Sequence, residues 1–304
     1  MPSFKTTVLF CVCGLFLLAA KRTYAAEFTY EYQKTLQVES PVVLNLNLVR
    51  GNVNISGSEE GRLVIEAIKR VRATNELEAQ EVADHIEIKV DVSSEQVKIN
   101  TNYLKMLNRN PSFWQKVLGA GSDSYGSVDY TITLPSNSSI EINSMAADIE
   151  LSSIEGEIHI ENTAGSTRGE FLFGPITVRQ PQGVIDLEWI EGDIRIKSSS
   201  SKITIKQVRG AIDLSTYSGN VTIQTELASP RDYFVETTSG AITFSIPEAA
   251  SGVLNIETKV GEIRTEVPVT IKSVSHHRII GEFGGGGPTI TLSSSSGNVT
   301  VAQY

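Results

Sequence analysis

Cysteine is almost missing from this chain. Cys11 and Cys13 are the only two in 304 residues, and both sit in an apolar N-terminal run, so no disulfide framework can hold the rest. Positive charge is also short: Lys and Arg total 26 against 35 Asp and Glu, for a formal net charge of −9. An acidic chain repels phosphate backbones and anionic membrane surfaces, which argues against nucleic acid as a partner. Histidine is scarce, with only His85, His159, His276 and His277. Adjacent His276 and His277 would point to opposite faces of a strand, and His85 has no histidine four residues away. A metal site needs converging ligands, so no metal and no small-molecule cofactor are expected. Long apolar runs are lacking too. Residues 8–20, "VLFCVCGLFLLAA", span 13 residues, short of the ~20 that cross a bilayer as a helix.

That run follows Lys5 and precedes Lys21, Arg22 and "TYAAEF". A positive start, a short apolar stretch and small residues near a cut site describe an export signal over residues 1–26. Phe10 and Val12 precede the two cysteines where a lipoprotein signal needs a small residue. The basic pair keeps an uncleaved membrane anchor open as the alternative. Without Lys5, Lys21 and Arg22 the mature chain would carry −12 instead of −9. The expected location is the periplasm, cell surface or extracellular space.

What the chain does have is a repeat. Ser138, Ala147, Gly156, Gly165, Gly174, Gly183, Gly192, Ser201, Gly210 and Gly219 are small residues spaced by nine. Two and four places after them come apolar pairs, from Ile140/Ile142 to Val221/Ile223, broken only at Thr167/Gly169. Period-two alternation means a short strand with one buried face. The units alternate in kind. Gly156, Gly174, Gly192 and Gly210 follow Ile154, Leu172, Ile190 and Val208 by two; the others follow Thr163, Pro181, Ser199 and Tyr217. The period is therefore 18, and a unit of that kind buries its apolar face only by stacking. This predicts an all-β chain, a β-solenoid (β-helix-like) with coils of about 18 residues. Hairpin-linked antiparallel sheets are the alternative, but they do not explain two classes of turn. Later, Gly219, Gly240 and Gly261 step by 21, and Gly297 restores the earlier form. The solenoid repeats are expected over residues 128–304, and from Ser138 to Tyr304 they would make roughly nine coils, about 43 Å of stack. Outward charges such as Glu150, Arg168 and Asp186, or Arg195 and Asp213, would then alternate in sign between neighbouring strands.

Residues 27–127 read differently, as a strand-rich capping region with one short helix. "NELEAQEVADHI" fits that helix, with Asn75 as N-cap and Glu78 at the third helical position. A helix there can cover an open end of the stack. "EIKVDV" and "QVKINTNY" suggest a hairpin. Residues 105–127 look like an insertion, whose Phe113 and Trp114 form either a satellite core or a partner-binding patch. "LVRGNVNISG", "NELEAQEVADHIEIKV", "VDYTITLPSNSSIEI", the repeats from Ala147 to Gly219 and "LSSSSGNVTVAQY" together resemble the bacterial domain-of-unknown-function family labelled "putative adhesin". The resemblance covers residues 27–304. It implies a bacterial, exported, solenoid-like protein and carries over no catalytic residues.

Motifs for chemistry are few. Calcium-binding β-roll loops need recurring Gly-Gly-x-Gly-x-Asp, and "SSIE", "RQPQ", "KSSS" and "STYS" lack recurring carboxylates. "GEFGGGGP" at 281–288 has no Lys-Ser/Thr after it and is no phosphate loop. Asn54, Asn137, Asn220 and Asn298 match the glycan acceptor pattern, but "GNVT" arises from the strand pattern itself. Asp193 and Asp213 are the carboxylate pair worth weighing, on one face, one coil and one lateral step apart, because paired carboxylates ~5–9.5 Å apart cleave glycosides. Arg195 should neighbour both, so a surface charge ladder explains them equally. The expected function is a non-catalytic envelope scaffold or binding module, adhesin-like, whose ligand is not encoded in any motif. The alternatives are a carbohydrate-active enzyme and a polymer self-associating through its ends.

Overall fold

The computed structural model describes residues 26–93, 96–103, 126–228 and 230–304. Phe113 and Trp114, most of the 105–127 insertion and residues 1–25 lie outside them. The described chain is all-β, with one helix, Glu76–Asp84.

From Ser139 onward the strands pair in parallel, except that Arg278–Phe283 lies antiparallel between Gly252–Thr258 and Thr270–Ser275. Ser139–Glu155 lies beside Ile158–Phe173 with Ile140 opposite Ile158 and Ile149 opposite Thr167. Gln182–Glu191 lies beside Ile194–Arg209 with Ile185 opposite Ile203. Both registers offset the chain by 18 residues, because only that offset places every apolar pair over another. Ile149, Ile185, Ile203, Ile212 and Ile223 are at most 1% exposed. Burying each such side chain contributes about 1.5–3 kcal/mol.

The small residues stack on one another at the corners. Gly174 has φ +131°, and a Cβ on Gly192 would run into the carbonyl oxygen of Gly174. A side chain is excluded there by both conformation and space. The break at Thr167/Gly169 has its own explanation. Thr167 donates to Gln180 Oε1 at 2.7 Å, and the space above Gly169 is filled by Leu172 and Leu187.

The three apolar corner residues Ile154, Leu172 and Ile190 are fully buried. Val208 departs from that pattern. A register shift sets Ile190 opposite Gln207 and Glu191 opposite Arg209, so Gln207, 3% exposed, takes the inner place. Its Nε2 donates to the carbonyls of Gly192 (2.8 Å) and Ala211 (3.4 Å), and its Oε1 accepts from Thr225. The polar corner hides a similar device. Gln180, 0% exposed, donates to the carbonyls of Gly165 and Val184. Asn162 donates to Ala147 O at 2.9 Å. Each amide satisfies a carbonyl of the small corner residue 15 positions earlier, groups that would otherwise be buried without partners.

The order of stacking departs from the order of sequence in one place. Gly219 and Gly240 are stacked neighbours, as the 21-residue step predicts, but Gly240 is followed by Gly297, and Gly297 by Gly261. Thr289–Ser294 pairs with Tyr233–Ser239 on one side and Gly252–Thr258 on the other. Val299–Gln303 likewise lies between Ile242–Ile246 and Ile263–Thr265. The step from Gly240 to Gly261 is thus not one coil but a gap into which the C-terminal strands fit. Spacing alone does not exclude this, because the C-terminal unit has the same apolar pattern as the coils it separates.

Before residue 139 the pairing is mixed. Val43–Ser58 joins Ser139–Glu155 in parallel, while Ala26–Gln37, Arg62–Ala73 and Gly126–Pro135 are antiparallel neighbours. Ile86–Val92 and Gln96–Tyr103 form the hairpin. Asn75 caps the helix by accepting from Glu78 N at 2.9 Å. The Glu78 carboxylate reaches back one residue further than a capping box requires, to Thr74 N. Ala79, Val82 and Ala83 are the buried helix residues, and the helix packs on Arg62–Ala73, Ile86–Val92 and Ala26–Gln37.

Candidate functional site

Asp193 and Asp213 lie at neighbouring parallel strands, each held by its own partner. Asp193 directly follows the corner residue Gly192, and its Oδ1 accepts from Ala211 N at 2.9 Å. Its other oxygen is ion-paired with Arg231. Asp213 Oδ2 meets Arg195 Nε at 3.2 Å, in the register that sets Arg195 opposite Asp213.

The bond made by Asp193 recurs. Asp148 accepts from Ser166 N, Asn220 from Ala241 N, Asp232 from Thr289 N and Asn298 from Glu262 N, at 2.8 to 3.2 Å. Asp129 accepts from Asn52 N in the same way. An oxygen-bearing short side chain bridges to the backbone of the neighbouring strand, as an N-cap does for a helix. Sequence reasoning passed over this device. Its signal was Asp or Asn immediately after the small residue at 148, 193, 220 and 298. The same device accounts for Asn220 and Asn298, which the glycan acceptor pattern also matches.

The outer face of one stretch of the sheet holds a hollow of about 400 Å³, where Glu150, Glu170, Asp186 and Glu188 surround Arg168. Arg168 Nη1 is 3.4 Å from Glu150 Oε1, so the predicted alternation of charge forms one ion pair there. Asp186 sits opposite Arg168 in the register, but its Oδ1 is buried without a hydrogen-bond partner. Among the described residues no group of three His, Cys, Asp or Glu side chains is placed to hold a metal ion. The histidines are dispersed: His85 Nδ1 lies 2.7 Å from Glu81 O and His159 Nε2 3.5 Å from Glu161. His276 and His277 have ring centroids 6.4 Å apart.

A surface feature absent from the sequence reading lies at the corner before Leu172 and Ile190. Phe171 and Trp189 have φ of 54° and 56°, the left-handed region that residues with a Cβ rarely occupy. That turn lets the next residue point inward and throws the rings outward. They are 45% and 53% exposed and stack with centroids 6.4 Å apart and planes 12° apart. The signal was an aromatic residue at 18-residue spacing just before the apolar corner. Beside Trp189 lies a second hollow, also lined by Lys206, Gln224, Glu226 and Tyr304. The Lys206 ammonium sits 2.7 Å from Glu188 Oε1; that hydrogen bond raises its pKa above the usual lysine range. The Tyr304 hydroxyl donates to Glu226 Oε1 at 3.1 Å, and its pKa is raised by partial burial and then by that bond.

Among the described residues no helix is long and apolar enough to cross a membrane. No curated protein matches the chain. Among solved structures it is similar to a "putative cell adhesion protein" of Clostridium sporogenes, with 16% identity, 91% of this chain and 100% of that one covered, and a TM-score of 0.27. It is also similar to a "putative adhesin" of Bacteroides fragilis, with 13% identity, 90% and 97% covered, and a TM-score of 0.35. A "putative lipid binding protein" of Parabacteroides distasonis shares 11% identity over 90% and 96% of the chains, with a TM-score of 0.31. Likenesses at this level carry no argument about activity or ligand. The Toastrack DUF4097 family profile, by contrast, matches residues 43–302. The chain therefore belongs to the Toastrack DUF4097 family.

Proposed function

We propose that the chain is an exported, non-catalytic β-solenoid with coils of about 18 residues, a scaffold or binding module of the bacterial cell envelope. The 18-residue register of its parallel strands supports the solenoid reading. The export signal at residues 1–26 supports the location. The observation that carries the non-catalytic reading is the use made of Asp193. Its two oxygens hold a corner and an arginine, and equivalent residues do the same corner work on other coils. A general acid or nucleophile would need a carboxylate free to reach a substrate.

The test is to incubate the secreted chain with fractionated envelope material and with mixed cell-wall glycans. Retention on one fraction without release of reducing sugar is the expected result. Glycan cleavage that disappears in Asp193→Asn or Asp213→Asn would overturn it.

A further inference from the structure

The aromatic stack stops one rung short of where the coil pattern would carry it. Trp189 covers Phe171 in the parallel register. In the next coil the register shift opposite Glu188–Glu191 replaces the left-handed corner with Gln207 and Val208. Among the described residues no third ring continues the stack. In its place is a hollow of about 240 Å³ with Trp189 on one wall and Tyr304 on another. It is smaller than the ~300–1,000 Å³ clefts that take drug-sized ligands, which favours a single ring.

The rim selects the chemistry of that ring. Gln207 is committed to backbone carbonyls and to Thr225, so it forms floor rather than contact. Lys206 is paired with Glu188 and Glu226 with the Tyr304 hydroxyl. An anion would meet two carboxylates. Lys206 offsets Glu188, whereas the Tyr304 hydroxyl leaves Glu226 its charge, so a cation on the ring faces is the competing ligand. Gln224 adds an amide that both donates and accepts. What matches exposed aromatic faces within a rim of paired donors and acceptors is a ring with apolar C–H faces and hydroxyl edges. We infer that this hollow binds one unit of a neutral saccharide, stacked on Trp189, and that it is a contact by which the protein holds a glycan chain. The inference rests on the reading of the chain as a binding module.

The experiment titrates the full chain by calorimetry with neutral tetrasaccharides of N-acetylglucosamine, glucose and mannose, and with choline chloride. The expected result is saturable binding of at least one tetrasaccharide. Trp189→Ala should weaken it about tenfold or more, equivalent to ~1.4 kcal/mol, and Trp189→Phe should restore most of it. Tyr304→Ala should weaken it less, and Phe234→Ala, an exposed ring opposite Asp213 on a different strand, should leave it unchanged. Circular dichroism checks that each variant is folded. Sugar binding that is indifferent to Trp189→Ala overturns this site but leaves the binding module standing. No binding of any tetrasaccharide by protein that is still retained on envelope material does the same. Choline binding that depends on Trp189 in the absence of sugar binding also overturns the inference, because the ligand class would then be cationic.

Discussion

Residues 26–103 and residues 139–303 bury sheet faces of the same aliphatic character, but they fix register by different means. In the first region antiparallel neighbours, a helix and buried tyrosines set the packing. Tyr130, which lies at the junction, bonds its hydroxyl to Thr101 at 2.7 Å. In the second region the strands are parallel, the hairpin Thr270–Ser275/Arg278–Phe283 apart, and the corners set the packing through stacked small residues, side-chain amides and Asp or Asn bridges. The lesson is that a parallel stack concentrates its specificity in the turns, while an antiparallel region distributes it over side chains. Damage at a corner of the stack should therefore exceed comparable damage on its outer faces.

The largest effect should come from Ile190→Asp, which buries an unpaired carboxylate at an apolar corner. A loss of roughly 3–5 kcal/mol in urea unfolding is expected. Gln180→Ala should cost about 2–3 kcal/mol, since it leaves the Thr167 hydroxyl and two carbonyls without a partner. Asp193→Ala should cost about 1 kcal/mol while Asp193→Asn, which keeps the acceptor, should cost less. Equal losses in the two Asp193 variants would show that charge, not the corner bridge, matters there. Glu191→Ala removes a solvent-facing partner of Arg209 and should change stability by less than ~0.5 kcal/mol. If it matched Ile190→Asp, the assignment of inner and outer faces would be wrong.

A pH titration separates the regions without mutation. Burial raises the Tyr103 pKa from 10.0 to about 12 and pushes that of Tyr130 further up. The folded state thus holds both rings neutral where the unfolded chain would ionise them. Their stabilising contribution is full below pH 10 and is lost as pH rises toward and past 12. Near-ultraviolet dichroism should report loss of the N-terminal region first, and Tyr130→Phe should flatten the fall. Simultaneous loss of both regions, unchanged in that variant, would break the comparison.

The same contrast explains how much could be read from the amino acids. Apolar pairs such as Ile158/Ile160 announce themselves by period, and the helix by Asn75 and Glu78, because local rules place them. Gln207 could not be placed in this way. Val208 is the more apolar residue, and it loses the inner position because the amide satisfies two carbonyls that no apolar side chain could. The intercalation of Thr289–Ser294 was hidden because its pattern is indistinguishable from that of its neighbours. Trp189 was hidden because its exposure depends on a left-handed residue, which no periodicity reveals. Asp193 looked like chemistry, and only the hydrogen bond to Ala211 shows its work at the corner.

The position of the C-terminal strands has a consequence for biogenesis. The ribosome makes residues 252–265 before the strands beside which they pair. Residues 252–265 therefore have no complete surface to dock on until residues 289–303 have emerged. Residues 289–303 act as a keystone, and without them Gly252–Thr258 would keep its antiparallel neighbour but lose its parallel one.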